Sequence, residues 1–240
     1  MWNNAFNLNI IMWFNQYSQR SAGFNHAVSY IEHAYAFKGM AVLSLLWYLW
    51  FKNSDMLSRK KSTLVAAIIA CILSLFITTL INYVAPFQLT PIANESVHFQ
   101  MPIGLNIDKN ANAGHGWLNS FPSHHATMFY ALATGIFFVS RRLGYLAFGY
   151  VTLFIIFPRI YLGLHYPTDV IAGATIGALT TTLISQTSIR AAYEKPLTLL
   201  LKNYPAAFQT ILFVITFEIA VVFYDAISLV KGLAKFFSSN

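Results

Sequence analysis

Five polar side chains lie close together in the chain at the ends of long apolar runs: Ser123 and His125 within Pro122-Ser123-His124-His125, then Arg159, then His165 with Asp169 four residues on. Two imidazoles, a guanidinium, a hydroxyl and a carboxylate are the equipment for moving a phosphoryl group. Imidazole attacks phosphorus only through a deprotonated ring nitrogen, and a carboxylate on the other nitrogen fixes the tautomer and stabilises the charge that develops. His165 and Asp169 suit those two parts. A planar guanidinium grips phosphate oxygens bidentately, and Arg159 is a charge that is costly to place near the end of an apolar span unless it pairs with something. Pro122 suits the first turn of a helix, whose unpaired N–H groups and partial positive charge favour a phosphate. Ser123 can donate its hydroxyl to the same anion, and His125, slightly further in, can protonate a leaving oxygen. With Pro167 starting the next helix, Asp169 falls in its first turn and can turn back toward His165. Taken singly, each piece has a plainer reading: a serine cap with interfacial histidines, and a His and an Asp solvated in a short loop.

The elements that must hold these groups are set by composition. Of 240 residues 57% are hydrophobic and 10% charged, against roughly 25% charged in an ordinary soluble domain. A bilayer-crossing helix needs about 20 mostly apolar residues, and six such stretches occur, at 24–51, 63–83, 123–140, 143–161, 168–188 and 206–228. Lys38-Gly39 interrupts the first. In hydrocarbon every backbone polar group needs an internal partner, so runs this apolar are helices. The expected fold is therefore all-α, a polytopic membrane helical bundle of about six transmembrane helices, and residues 1–240 read as one domain.

Charge sets the expected orientation. Lys52, Arg59, Lys60 and Lys61 lie in one loop, Arg141 and Arg142 in the next on that side, and Arg190, Lys195 and Lys202 in a third. By the positive-inside rule these are cytoplasmic, which puts the long loop 84–122 and His165 on the opposite face. The net charge of +7 is mostly this bias; nucleic-acid binding would need a folded basic surface in water. Residues 3–17 are apolar and amide-rich, without a basic n-region or a small-residue cleavage site, and read as an interfacial helix rather than a cleaved leader. Lys231 and Lys235 beside Phe236 and Phe237 suggest a second interfacial helix. Cys71, the one cysteine, reads as a small packing residue. Residues 92–121 hold Glu95, His98, Asp108, Lys109, His115 and Trp117, with Gly114 and Gly116 permitting sharp turns. Such a loop is either a lid over the site or a solvated connector. The spacing of its histidines and acids matches no established metal-ligand pattern.

Order and spacing together carry a resemblance. Pro122-Ser123-x-His125, then Arg159 within Arg-Ile-Tyr-Leu-Gly-Leu-His-Tyr-Pro-Thr-Asp ending at Asp169, resembles the type 2 phosphatidic acid phosphatase family over at least residues 82–175. The resemblance implies that His165 is the nucleophile of a phosphohistidine intermediate, Asp169 its orienting partner, and His125 the acid that protonates the leaving group and later activates water. Arg159, Ser123 and the N–H of His124 would hold the phosphoryl oxygens. It implies no cofactor and no metal, fixed cations and dipoles supplying the electrostatic stabilisation. The implied partners are the bilayer and a membrane lipid with a phosphate or pyrophosphate head, such as phosphatidate, phosphatidylglycerophosphate, undecaprenyl pyrophosphate or a lipid A phosphate. The implied place is the inner (cytoplasmic) membrane, with the site on the non-cytoplasmic face.

The chain also departs from that pattern. The family's first motif brings a lysine and then an arginine at the end of the preceding span, whereas here Asn82-Tyr83-Val84-Ala85-Pro86-Phe87-Gln88-Leu89-Thr90-Pro91 carries Gln88 and Thr90 where arginines are expected. Pro158 stands where serine is usual, and His124 where glycine or aspartate is frequent. A hydrogen bond to a charged group contributes roughly 1.5–3 kcal/mol, so two missing cations weaken phosphate binding or turnover severely unless something replaces them. Three alternatives follow: His98, Lys109, His115 or His124 substitutes; the substrate demands less positive charge; or only lipid binding remains. A phosphotransferase passing the group from His165 to a second lipid or sugar is a further alternative to a hydrolase.

Overall fold

The computed structural model describes residues 4–52, 59–107 and 119–223. Asp108, Lys109, Gly114, His115, Gly116, Trp117 and the segment with Lys231, Lys235, Phe236 and Phe237 lie outside the described residues. Among the described residues every regular element is helical, as an all-α membrane bundle requires. The helices are α1 (Ala5–Ser18), α2 (Ala22–His33), α3 (Ala41–Lys52), α4 (Arg59–Val84), α5 (His124–Val139), α6 (Arg141–Tyr150), α7 (Phe157–Tyr161), α8 (Pro167–Ile184), α9 (Thr187–Asn203) and α10 (Pro205–Ala220).

All six apolar stretches contain helix, but not six uniform rods. Helix α4, and the continuous helix Arg141–Tyr161 made of α6, a π-helical stretch Val151–Ile156 and α7, are each long and apolar enough to cross a bilayer unaided. The widened stretch precedes Pro158, whose missing N–H and ring would otherwise break a regular helix. The expected first span is two pieces: α2 meets the helix Ala36–Lys52 at 72°, through extended backbone at Ala34 and a π-helical turn Ala36–Met40 that contains Lys38-Gly39. The fifth stretch stops at Ile184 rather than 188, and the polar α9 leaves it at 70°. Helices α5 and α10 have 16 residues each, shorter than the roughly 20 that span unaided.

Helix α5 is the centre of the bundle, packed mainly against α8 and α4. Side chains at Gly177 and Gly173 would collide with α5 backbone, a Cβ lying 2.1 Å from the Thr127 carbonyl oxygen and 2.4 Å from that of Ser123. Lipid tails give apolar helices little reason to associate, so packing through small residues spaced four apart and hydrogen bonds between helices supply the attraction. Here the Thr181 hydroxyl donates to the Ala131 carbonyl at 3.0 Å, and Thr78 and Thr127 hydroxyls meet at 3.0 Å between α4 and α5. Across the same interface Gly135 abuts Ala67. Cys71 is buried in this core. One consequence of the tight α5–α8 register is that Ser123 N–H donates to the Asp169 carbonyl at 3.0 Å, which pins the motif-bearing ends together.

Three amides of the N-terminal helices, Asn7, Asn15 and Asn25, are buried, while Asn9 and Gln16 are exposed. Asn7 exchanges two hydrogen bonds with Thr168, Asn15 holds both the N–H and carbonyl of Gln100, and Asn25 holds the carbonyls of Ser18 and Ile103 while accepting from the Tyr161 hydroxyl. The described part of the long loop is packed under them, with Ile11, Ile92, Val97, Phe99 and Tyr166 forming a small second core. Gly163 (φ +70°) lets the Phe99 ring approach the backbone.

Gly177→Leu should lower stability by about 1–3 kcal/mol, the usual cost of overpacking, and separate the two motif-bearing helix ends. Thermal unfolding in detergent checks this against Gly149→Ala, where a Cβ meets nothing within 4 Å; equal stability of the two variants would contradict the packing.

Candidate active site

The motif residues gather at the end of the bundle away from the basic loops. Ser123 is the N-cap of α5 and His124 its first residue, so the expected proline at the first turn is instead one residue before the cap. First-turn N–H groups have no partner within their own helix and here face the site end. The Ser123 hydroxyl is fully buried and has no hydrogen-bond partner. That is a costly state for a donor and marks a place where an acceptor belongs.

His165 lies in the short link between α7 and α8. The link folds back on α7, the Arg159 carbonyl accepting from Leu164 N–H at 2.8 Å and His165 N–H at 3.3 Å. This turn ties nucleophile candidate and guanidinium together through the backbone. His165 Nδ1 stands 3.0 Å from the Ser120 carbonyl and 3.7 Å from Asp169 Oδ2. The nearest acceptor on Nδ1 is thus a backbone oxygen. Asp169 sits one step behind, its Oδ2 accepting from the Ser120 hydroxyl and from Tyr166 N–H at 2.8 Å. With Nδ1 donating to Ser120, Nε2 carries the lone pair that chemistry at phosphorus needs.

Ser120 is itself positioned by a clamp of amides. Asn119 Nδ2 points at the carbonyls of Asn82, Ala85 and Pro86, and its Oδ1 accepts from Gln88 and Phe121 N–H. Asn82 returns the contact to the carbonyls of Asn119 and Phe121. The end of α4 and the segment carrying Gln88 are thereby joined to the start of α5. Gln88 is buried; its carbonyl accepts from Ser120 N–H at 2.8 Å and both polar atoms of its side chain lack hydrogen-bond partners. Thr90 sits further out, its carbonyl accepting from Ala93 and Asn94 N–H in a turn.

Arg159 Nη2 donates to His125 Nε2 at 2.8 Å and to Glu32 Oε1 at 2.8 Å. Since guanidinium only donates, His125 Nε2 is an acceptor here and its ring proton is on Nδ1. Glu32 Oε1 also lies 3.5 Å from Lys38 Nζ, all three charged side chains being nearly buried. Of the expected substitute cations, His98 is exposed on the outer loop and His124 is within the site end. Lys38 and Glu32 were not expected. Their signal was legible: a lysine six residues after a glutamate, in an apolar stretch, where charges rarely stand unpaired. Asn119 and Ser120 had no such signal, being ordinary loop residues. Among the described residues no group of three or more His, Cys, Asp or Glu is placed to hold a metal.

A helical membrane bundle with paired His and Arg side chains at a helix N-terminus, and a second His tied to a buried carboxylate network, has the makings of a membrane phosphatase. The chain belongs to the PAP2 superfamily, whose family model matches residues 59–192. The bacitracin transport permease protein BcrC of Bacillus licheniformis is 28% identical over 130 residues, 54% of this chain and 55% of that protein. The chain thus matches little more than half the length of that relative. No solved structure matches it.

Asn119→Ala strips partners from buried N–H and carbonyl groups and should cost about 1–3 kcal/mol, read as a lower unfolding temperature in detergent. An unchanged temperature would mean that the clamp contributes nothing.

Proposed function

We propose that this protein hydrolyses a lipid phosphate or isoprenoid pyrophosphate through a covalent phosphohistidine. His165 Nε2 attacks phosphorus, the bond to the leaving oxygen breaks, and His125 gives the departing oxygen a proton, for which it first takes up a second ring proton at Nε2 in place of the Arg159 bond. Water then attacks the phosphohistidine, its proton passing to His125, the P–N bond breaks and phosphate leaves. Ser123, the N–H groups of His124 and His125, and the Arg159 guanidinium hold the phosphoryl oxygens, donors whose value rises in a site shielded from water. Ser120 and, behind it, Asp169 keep His165 in the attacking tautomer. The observation that carries the reading is the convergence of Ser123, His125, Arg159 and His165 on one end of the bundle, with a buried serine hydroxyl that has no acceptor. The site lies at the end opposite Arg141 and Arg142, which favours the non-cytoplasmic face of the inner membrane.

His165→Ala should reduce phosphate release from lipid phosphates and pyrophosphates in detergent micelles by three orders of magnitude or more, on the order of what losing a nucleophile costs. It should also abolish the acid-labile phosphoprotein trapped by rapid quenching. Retained turnover in this variant would reject the mechanism.

A further inference from the structure

The first-motif positions supply no cation, and Arg159 is shared with a carboxylate. A single Glu32 against a single Arg159 would leave the pocket with no net side-chain charge, a poor receptor for a phosphoryl dianion. Lys38 changes that balance. It lies 3.5 Å from the same Glu32 oxygen that Arg159 holds at 2.8 Å, so two cations face one carboxylate. The other Glu32 oxygen is 3.0 Å from Nδ1 of His33, an exposed ring whose Nδ1 is also 2.7 Å from the Ser29 carbonyl.

Backbone geometry holds this arrangement. Lys38 rides the π-helical turn Ala36–Met40, and Arg159 follows the π-helical stretch Val151–Ile156. The two widened segments dock on each other, the Tyr150 hydroxyl donating to the Phe37 carbonyl at 2.8 Å and the Phe37 and Phe154 rings stacking. Gly39 seats the turn directly on the backbone of Ala220. π-helical insertions are rare and recur at functional sites; here each one feeds a cation toward the same carboxylate. On Arg159, the bonds to Glu32 and His125 both use Nη2, so the donors left for phosphoryl oxygens are Nε and Nη1, each donating singly.

We propose that Glu32 and Lys38 form a positioning pair for the phosphoryl pocket: Glu32 orients Arg159, and Lys38 neutralises Glu32 so that the Arg159 charge is available to the substrate. They stand in, from the N-terminal helices, for the cations that Gln88 and Thr90 do not provide. Both precede residue 59, where the family match begins. This assignment deepens the phosphatase reading and rests on it for the identity of the bound group.

The test uses purified full-length protein and two readouts. Orthovanadate, a phosphoryl transition-state mimic, reports the pocket without turnover; phosphate release from a lipid phosphate reports the reaction. Lys38→Gln should weaken vanadate binding about tenfold or more, the scale of one lost charge-assisted contact, and raise KM with a smaller change in kcat. Lys38→Arg should stay close to the unmodified protein. Because Lys38 acts through Glu32, the double variant Glu32→Gln/Lys38→Gln should bind vanadate more tightly than Lys38→Gln alone, a recovery that a merely structural lysine would not give. Unchanged binding in Lys38→Gln, an equal loss whether residue 32 is Glu or Gln, or no vanadate binding by the unmodified protein would each overturn the proposal. Vanadate binding that follows the expected order without phosphate release from any lipid would leave the pair standing and overturn the phosphatase reading instead.

Discussion

A guanidinium at the end of an apolar helix needs a partner before anything else in this protein can work. Uncompensated charge in a low-dielectric setting is expensive, and the cost falls only when the charge is paired and hydrogen-bonded. Arg159 meets that demand with Glu32 and His125, both through one nitrogen. Much of the N-terminal architecture reads as the means of bringing Glu32 there. Helix α2 is turned by 72° from the helix that follows, and Asn25 at its start is anchored on Ser18, Ile103 and Tyr161. Without these anchors a glutamate in an apolar stretch would have no reason to remain buried.

The second constraint is steric. Helices α5 and α8 approach so closely at Gly173 and Gly177 that no side chain fits between them, and that contact sets the register in which Ser123 meets the Asp169 backbone. The start of α5 and the carboxylate network behind His165 are therefore parts of one interface. A shift of one helix along the other would move the serine, the two histidines and the carboxylate together.

What could be read in the chain and what could not divides along physical lines. Apolar runs of bilayer length announce helices because hydrocarbon leaves the backbone no other option, and the motif spacing brought Ser123, His125, Arg159, His165 and Asp169 to one end. Breaks inside those runs were harder to see. The first stretch looked continuous apart from Lys38-Gly39, yet it is two helices at a sharp angle, since hydropathy averages over a bend. The pairing of His165 with Asp169 at i+4 followed from type and spacing, and the two face each other at 3.7 Å, but the Ser120 carbonyl, which is nearer to Nδ1 at 3.0 Å, did not. Backbone acceptors have no residue-type signature, and Ser120 comes from a loop placed by the Asn82–Asn119 clamp. That Asn7 and Asn15, in the amide-rich stretch read as an interfacial helix, would be buried against Thr168 and Gln100 had no signal in residue type, because only tertiary partners show where an asparagine is spent.

The missing first-motif cations illustrate how an electrostatic requirement can be met from elsewhere in a fold. A phosphoryl pocket needs net positive charge at a place, and the place does not dictate which helix supplies it. Near the end of α4 the structure has amides, with Asn82 and Asn119 bonded to backbone and to each other. Amides of this kind order a loop without adding charge. Across the site the π-helical turn holding Lys38 adds charge, and Glu32 keeps that lysine from facing hydrocarbon alone. Rigidity and charge, which one arginine-bearing motif could supply together, are divided here between two segments. The division has a chemical consequence: on the proposed role, Lys38 acts at Glu32 and sets how much of the Arg159 field reaches an anion, while the direction of the contacts is set by Arg159 itself.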